Sequence, residues 1–208
     1  MVDQSQKAGL SLEEVCRQIF AEQSAWRKVL IGGLLCLSLI GIPVAFGFFW
    51  RYMAKVRASG DFSLPEWTDP LTLVIPGLKA MAVCFVWFGV PSLVALGLQS
   101  LFFAIFAPLG FLWILVTVIV FWVCSCLAVS ALWLYQREPE WATLLEWEKI
   151  LAPFRKTWSS LILPGVAFVG IVSLISPILP LLPFVFFGGF LPFMAYTLQV
   201  YVFSRKGI

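Results

Sequence analysis

The chain contains no histidine. That absence excludes Ser-His-Asp and Cys-His catalysis, histidine-ligated zinc or haem, and a histidine proton relay. Charge is scarce as well: Asp, Glu, Lys and Arg make up 12% of the 208 residues, against about 25% in soluble domains. No Cys-x-x-Cys pair occurs among Cys16, Cys36, Cys84, Cys124 and Cys126. Cys124 and Cys126 stand two apart, which on a helix turns their side chains roughly 200° from each other. A shared metal or disulfide is therefore not expected, and each cysteine reads as a small hydrophobe. Lys7 to Lys28 is polar, and no short apolar core with a small-residue cleavage site follows it. The first hydrophobic segment is accordingly expected to stay in the mature protein.

What is present is apolar: 61% of the residues, with 16% aromatic and ten tryptophans. Ala80 to Gln136 and Thr157 to Ser204 carry no Asp, Glu, Lys or Arg. Uncharged stretches of about fifty residues cannot face water, so the expected class is an all-α, polytopic integral membrane helical bundle. Four full spans are expected near 80–98, 111–134, 158–175 and 184–203. Val29–Trp50 is long enough for one crossing, but Gly41-Ile42-Pro43 in its middle permits a kink or a re-entrant path. Gly60 is the expected C-cap of that segment. Residues 1–28 are read as a short tail plus an interfacial amphipathic helix, and 29–208 as one transmembrane domain. Ser11-Leu12-Glu13-Glu14 has capping-box form, and Leu12, Val15, Cys16, Ile19 and Phe20 recur at helical spacing over Ser11–Arg27. A helix packed on the protein's own loops is the alternative. A second interfacial helix is expected within Arg137–Lys156, ending before Pro153, and Pro76-Gly77 is expected to redirect the chain. Leu101–Gly110 reads as a tight hydrophobic turn, and Ser176–Pro183 as non-helical.

The connectors near 51–79 and 137–156 hold four basic residues each, and those near 99–110 and 176–183 hold none. The positive-inside rule then places both charged connectors and the C-terminus in the cytoplasm. The side of the N-terminus stays open, because Lys7, Arg17, Arg27 and Lys28 conflict with a simple crossing by Val29–Trp50. Pro65-Glu66-Trp67 recurs as Pro139-Glu140-Trp141 in a similar setting, which raises an internal repeat.

All eleven carboxylates lie in the tail or the charged connectors, which counts against a coupled transporter with a midplane acid. The embedded hydroxyls are expected to bond back to their own helices. The densest polar patch is Leu64-Pro65-Glu66-Trp67-Thr68-Asp69-Pro70 with Gly77-Leu78-Lys79. Glu66 and Asp69 are candidates to pair with Arg51, Arg57 or Lys79. Trp67 is expected to anchor in the interface, and Asp69 to cap a helix opened by Pro70. Two carboxylates without a third ligand make a poor metal site, and no cofactor is expected. The interface and structural anchors are thus Arg51, Arg57, Pro65, Glu66, Trp67, Asp69, Gly77, Lys79, Pro139, Glu140 and Trp141.

This arrangement resembles an uncharacterised family of bacterial and archaeal polytopic membrane proteins, one of the domain-of-unknown-function families. Its pattern is a Gly-rich first segment ending in aromatic and Arg residues (here Gly41 to Arg57), an L-P-E-W-x-D connector (Leu64 to Asp69) and G-L-K (Gly77-Leu78-Lys79). Pro70 and Pro76 depart from it, standing where aromatic or polar residues are expected. The resemblance implies a multi-pass protein of the prokaryotic cytoplasmic (inner) membrane and supplies no catalytic residue. The expected function is non-enzymatic: a scaffold or accessory subunit, with the bilayer and a membrane protein or second copy as partners and no nucleic acid. A channel for a small solute is the alternative, and a lipid-headgroup enzyme using Glu66, Asp69, Glu138 or Glu140 is a third reading.

Overall fold

The computed structural model describes residues 11–175 and 178–206, and among them every regular element is helical. The tail expected over 1–10, and Ser176 and Pro177 of the Pro-rich break, lie outside the described residues. In order the helices are α1 Leu12–Phe20, α2 Ala25–Cys36, α3 Gly41–Ser59, α4 Pro70–Cys84, α5 Val90–Ile105, α6 Ala107–Arg137, α7 Trp147–Ile175 and α8 Leu182–Lys206. A π-helical stretch at Phe85–Gly89 joins α4 to α5, and short 3₁₀ turns occupy Trp141–Leu145 and Leu179–Leu181. Three helical segments are long and apolar enough to cross a membrane: Pro70–Ile105, Gly110–Arg137 and Leu182–Val202.

The chain divides into two compact units: residues up to Leu78 together with those from Gly170 onward, and Lys79–Val169. In the first, α2 packs on α3 and α8, while α1 packs on α8 and α2. Ser11 accepts the Glu14 amide at 3.2 Å, as a capping residue should, and Val15 and Ile19 are fully buried. Of the apolar face, Val15 and Ile19 are thus covered by protein, while Leu12, Cys16 and Phe20 stay partly open. The helix expected over Ser11–Arg27 also stops at Phe20, and Ala25–Lys28 opens α2, so the boundary expected at 28/29 falls inside that helix. Val29–Trp50 is divided between α2 and α3 by the turn Leu37–Ile40. Gly60 closes α3 at φ 65°, a left-handed cap that Gly adopts without steric cost. Aromatic rings fill the space between α3 and α8, with Phe49 stacked on Phe187 at 4.7 Å.

Pro76-Gly77 does not redirect the chain, because both lie within α4. A Cβ on Gly77 would stand 1.7 Å from the Pro43 carbonyl oxygen, and one on Gly47 would stand 2.1 Å from that of Leu73. These glycines let the backbones of α3 and α4 touch.

In the second unit α5 and α6 form an antiparallel hairpin. The expected ten-residue turn is much shorter: only Phe106, extended at φ −158°, separates the helices. Ring packing replaces loop polarity there, with Phe102 4.7 Å from Trp113 and the Trp113 indole donating to the Ala95 carbonyl at 3.3 Å. The second interfacial helix is also corrected. After the 3₁₀ turn, α7 runs unbroken through Pro153 and Pro164 to Ile175. Its start is tied to α6 by the Ser130 hydroxyl, which donates to the Ile150 carbonyl at 2.8 Å.

Candidate functional site

Among the described residues, the connector between α3 and α4 is densely bonded. It opens on an Asp61 turn, where the Ser63 amide donates to the Asp61 carboxylate at 2.9 Å and the Lys55 ammonium pairs with it at 3.0 Å. Burial disfavours the Asp61 anion, yet the Ser63 and Lys55 donors outweigh it and hold its pKa below the ordinary value. Tyr52, fully buried on α3, donates to the Phe62 carbonyl at 3.1 Å.

Leu64 to Thr68 then reach the start of α2 and the middle of α3. Lys28, in the first turn of α2, is only 3% exposed. Its ammonium donates to the Leu64 carbonyl at 3.0 Å and to Glu22 at 3.1 Å, and it pairs with Glu66 at 2.7 Å. A buried cation is tolerable only with such a full set of acceptors. Burial works against its charge, but Glu66 and Glu22 prevail and hold its pKa above that of a free lysine. Glu22 is held low by the Ser24 hydroxyl and by Lys28. The Trp67 indole donates to the Lys28 carbonyl at 3.1 Å and stacks on Phe48 of α3 at 4.1 Å. Arg51, also on α3, donates to the Thr68 carbonyl at 2.9 Å, the Glu66 carbonyl at 3.4 Å and the Thr72 hydroxyl at 3.2 Å. The connector is thus one clamp across the start of α2 and the middle of α3.

Of the expected anchors, this brings together Arg51, Pro65, Glu66 and Trp67. Glu66 does not reach the Arg51 cluster through its side chain. It pairs with Lys28, whose long-range role has no local signature beyond a Lys and a Glu that each flank an apolar segment. Asp69 sits immediately before α4 but does not cap it. Its φ of 49° is outside the extended conformation a capping side chain needs, and the Thr72 amide takes the Asp69 backbone carbonyl instead, at 3.0 Å. Gly77 serves the α3–α4 contact, while Arg57 and Lys79 are exposed.

Pro139, Glu140 and Trp141 lie in the other unit, and all three are exposed. Trp141 starts a 3₁₀ turn and tilts against Tyr135 at 4.9 Å, whereas Trp67 is docked. Nearby Lys149 pairs with Glu146 at 2.9 Å on the surface. Among the described residues no group of three or more His, Cys, Asp or Glu could hold a metal ion.

No match was found among curated proteins or among solved structures. A family model described as a protein of unknown function, DUF4013, matches residues 30–184, a stretch that runs from α2 through the clamp to the start of α8. With most of its length inside that match, the chain belongs to the DUF4013 family.

Proposed function

We propose that the chain is a non-enzymatic, multi-pass protein of the cytoplasmic membrane that serves as a scaffold or accessory subunit of a larger membrane assembly. In this reading four segments cross: the 80–98 part of the α4–α5 helix, α6, the 158–175 part of α7, and α8. The α2–α3 hairpin enters the cytoplasmic interface and returns. The observation that carries the topology is the clamp, because Lys28 and Arg51, at opposite ends of Val29–Trp50, both bind within the short connector stretch Leu64–Thr68 and share Glu66. A segment whose two ends share one connector does not cross. Its tip is apolar, with Leu39 86% and Ile40 87% exposed, and suits the boundary between headgroups and acyl chains. The N-terminus, both charged connectors and the C-terminus then share the cytoplasmic side.

The scaffold reading is favoured over a channel by the embedded hydroxyls. Thr117, Ser125, Thr157 and Thr197 each donate to a carbonyl of their own helix, so their donors do not line a path. Purification in mild detergent should recover a stoichiometric partner, and the protein alone in liposomes should leave solute flux unchanged. A consistently partner-free protein, or solute flux carried by it alone, would overturn the reading.

A further inference from the structure

Pro-Glu-Trp occurs twice, and its first copy shows what covers such a segment. Trp67 stacks on the Phe48 ring at 4.1 Å and its indole donates to the Lys28 carbonyl, while the Glu66 carboxylate pairs with the Lys28 ammonium at 2.7 Å. An aromatic ring and a lysine together occupy the Trp and the Glu. The second copy, Pro139-Glu140-Trp141, keeps all three residues exposed. Leu145 and Trp147 follow it, and Trp141, Leu145 and Trp147 are each more than half exposed. Six steps of chain separate Trp141 from Trp147, four of them in 3₁₀ rise, so the three side chains leave the backbone within ~15 Å of one another.

The backbone under this surface is fixed. Thr143, Leu144 and Ile150 are buried, and the Ile150 carbonyl accepts the Ser130 hydroxyl. The Thr143 amide donates to the Glu140 carbonyl at 3.2 Å, and the Lys149 amide to the Glu146 carbonyl at 2.9 Å. Little conformational freedom is left to lose on binding. Residues 137–149 carry four carboxylates against two cations, and both cations are engaged. Arg137 lies over the Trp133 ring at 5.3 Å. Lys149 pairs with Glu146 at 2.9 Å and Glu138 at 3.9 Å. Glu140 and Glu148, each next to an exposed Trp, make no ion pair among the described residues. Tryptophan also seats at bilayer interfaces, but the cytoplasmic leaflet is anionic and opposes such carboxylates. The cytoplasmic connectors of other membrane proteins carry an excess of Lys and Arg, which suits them.

We infer that Glu140, Trp141, Leu145, Trp147 and Glu148 form a docking surface for a basic, aromatic cytoplasmic segment of a partner membrane protein. Its Lys and aromatic side chains cover the second Pro-Glu-Trp as Lys28 and Phe48 cover the first. The two indoles and Leu145 carry the affinity, and the carboxylates at the rim select a cationic partner. This rests on the reading that the chain is a subunit of a membrane assembly with this connector cytoplasmic.

Full-length protein in phosphatidylcholine nanodiscs is titrated with a short helical peptide that carries Lys and Phe on one face. The peptide should bind wild type, less tightly as salt rises, and the same peptide with Glu in place of Lys should not. Trp141→Ala/Trp147→Ala should lose about tenfold in affinity or more. Glu140→Gln/Glu148→Gln, which removes no packing, should weaken binding and flatten its salt dependence. Glu13→Gln/Trp158→Ala, which removes an exposed carboxylate and an exposed Trp elsewhere, should bind as wild type does. Equal loss in that control, or no change in either of the first two variants, would overturn the surface. A bimane on Leu145→Cys, in a cysteine-free background, should be quenched by aqueous iodide until the peptide shields it. Quenching by a doxyl-labelled lipid instead would make the bilayer the occupant and overturn the proposal. In mild detergent, the partner that co-purifies with wild type should be lost from Trp141→Ala/Trp147→Ala. A partner retained by that variant overturns this surface and leaves the scaffold reading standing, whereas wild type without any partner overturns the scaffold reading and the surface with it.

Discussion

Replacing Trp67 by Ala removes three things at once. The indole N–H no longer bonds the Lys28 carbonyl, a contribution of about 0.5–1.5 kcal/mol. The stack on Phe48 at 4.1 Å is lost, worth roughly 0.5–1.5 kcal/mol beyond burial. The remaining packing is partial, since Trp67 is half-buried, so the total should fall below the 3–5 kcal/mol typical of a fully buried Trp. About 2–4 kcal/mol results, or roughly 5–15 °C of melting temperature for a chain of this length. Glu66→Gln should cost far less. The Glu66 side chain is 68% exposed, exposed pairs contribute about 0–1 kcal/mol, and Lys28 keeps Glu22 and the Leu64 carbonyl. Trp67→Phe should fall between the two, keeping the stack and losing the bond. Circular-dichroism melts of the three variants in one detergent give the ranking. Wild-type melting for Trp67→Ala, a larger loss for Glu66→Gln, or free proteolysis within Leu64–Asp69 in membranes would show that the connector is a tether and refute the clamp.

Gly77→Ala should destabilise by about 1–3 kcal/mol, because its Cβ would collide with the Pro43 backbone. Gly97→Ala, which meets nothing within 4 Å, should be neutral or slightly stabilising in the same melts. The pKa values of Glu22 and Asp61 are lowered. Their contribution is full above the unfolded carboxylate range, near pH 4, and is lost as pH falls through their folded values. Lys28 is raised, so its contribution is full below about pH 10 and is lost as pH rises through its folded value. The melting temperature should therefore stay flat from about pH 5 to 9, and a step near pH 6.5 would contradict this, as the chain has no histidine. Ser11→Ala should fray α1 at a cost of roughly 0.5–2 kcal/mol, read by the exchange rates of its amide protons.

The helical class was legible because absent charge and 61% apolar residues leave few alternatives. Local punctuation was legible where one residue decides it. Ser11 caps α1 and Gly60 ends α3 because their own chemistry meets a local backbone need. Proline was less reliable. Pro76, Pro153 and Pro164 all sit inside helices, since packing against a neighbouring helix can offset one lost backbone bond. The connector's importance was visible in its Pro, Trp and carboxylate content, but its wiring was not. Lys28 and Glu66 lie 38 positions apart, and nothing within either segment's periodicity states that they meet. Asp69 shows the converse error: an ideal capping residue in sequence, turned out of capping geometry by a positive φ. The two Pro-Glu-Trp copies read alike and differ in place, because only the first has a Phe48 to stack on.

The account turns on whether the α2–α3 hairpin returns to the side it entered from. The direct measurement is labelling of single cysteines, in a cysteine-free background, by a membrane-impermeant maleimide in vesicles of known orientation. Gln23→Cys, just before α2, and Arg57→Cys, near the end of α3, are exposed positions on either side of the hairpin. Both should label from the cytoplasmic side, with Leu39→Cys at the tip unreactive from the opposite side. Labelling of positions 23 and 57 from opposite sides would contradict it.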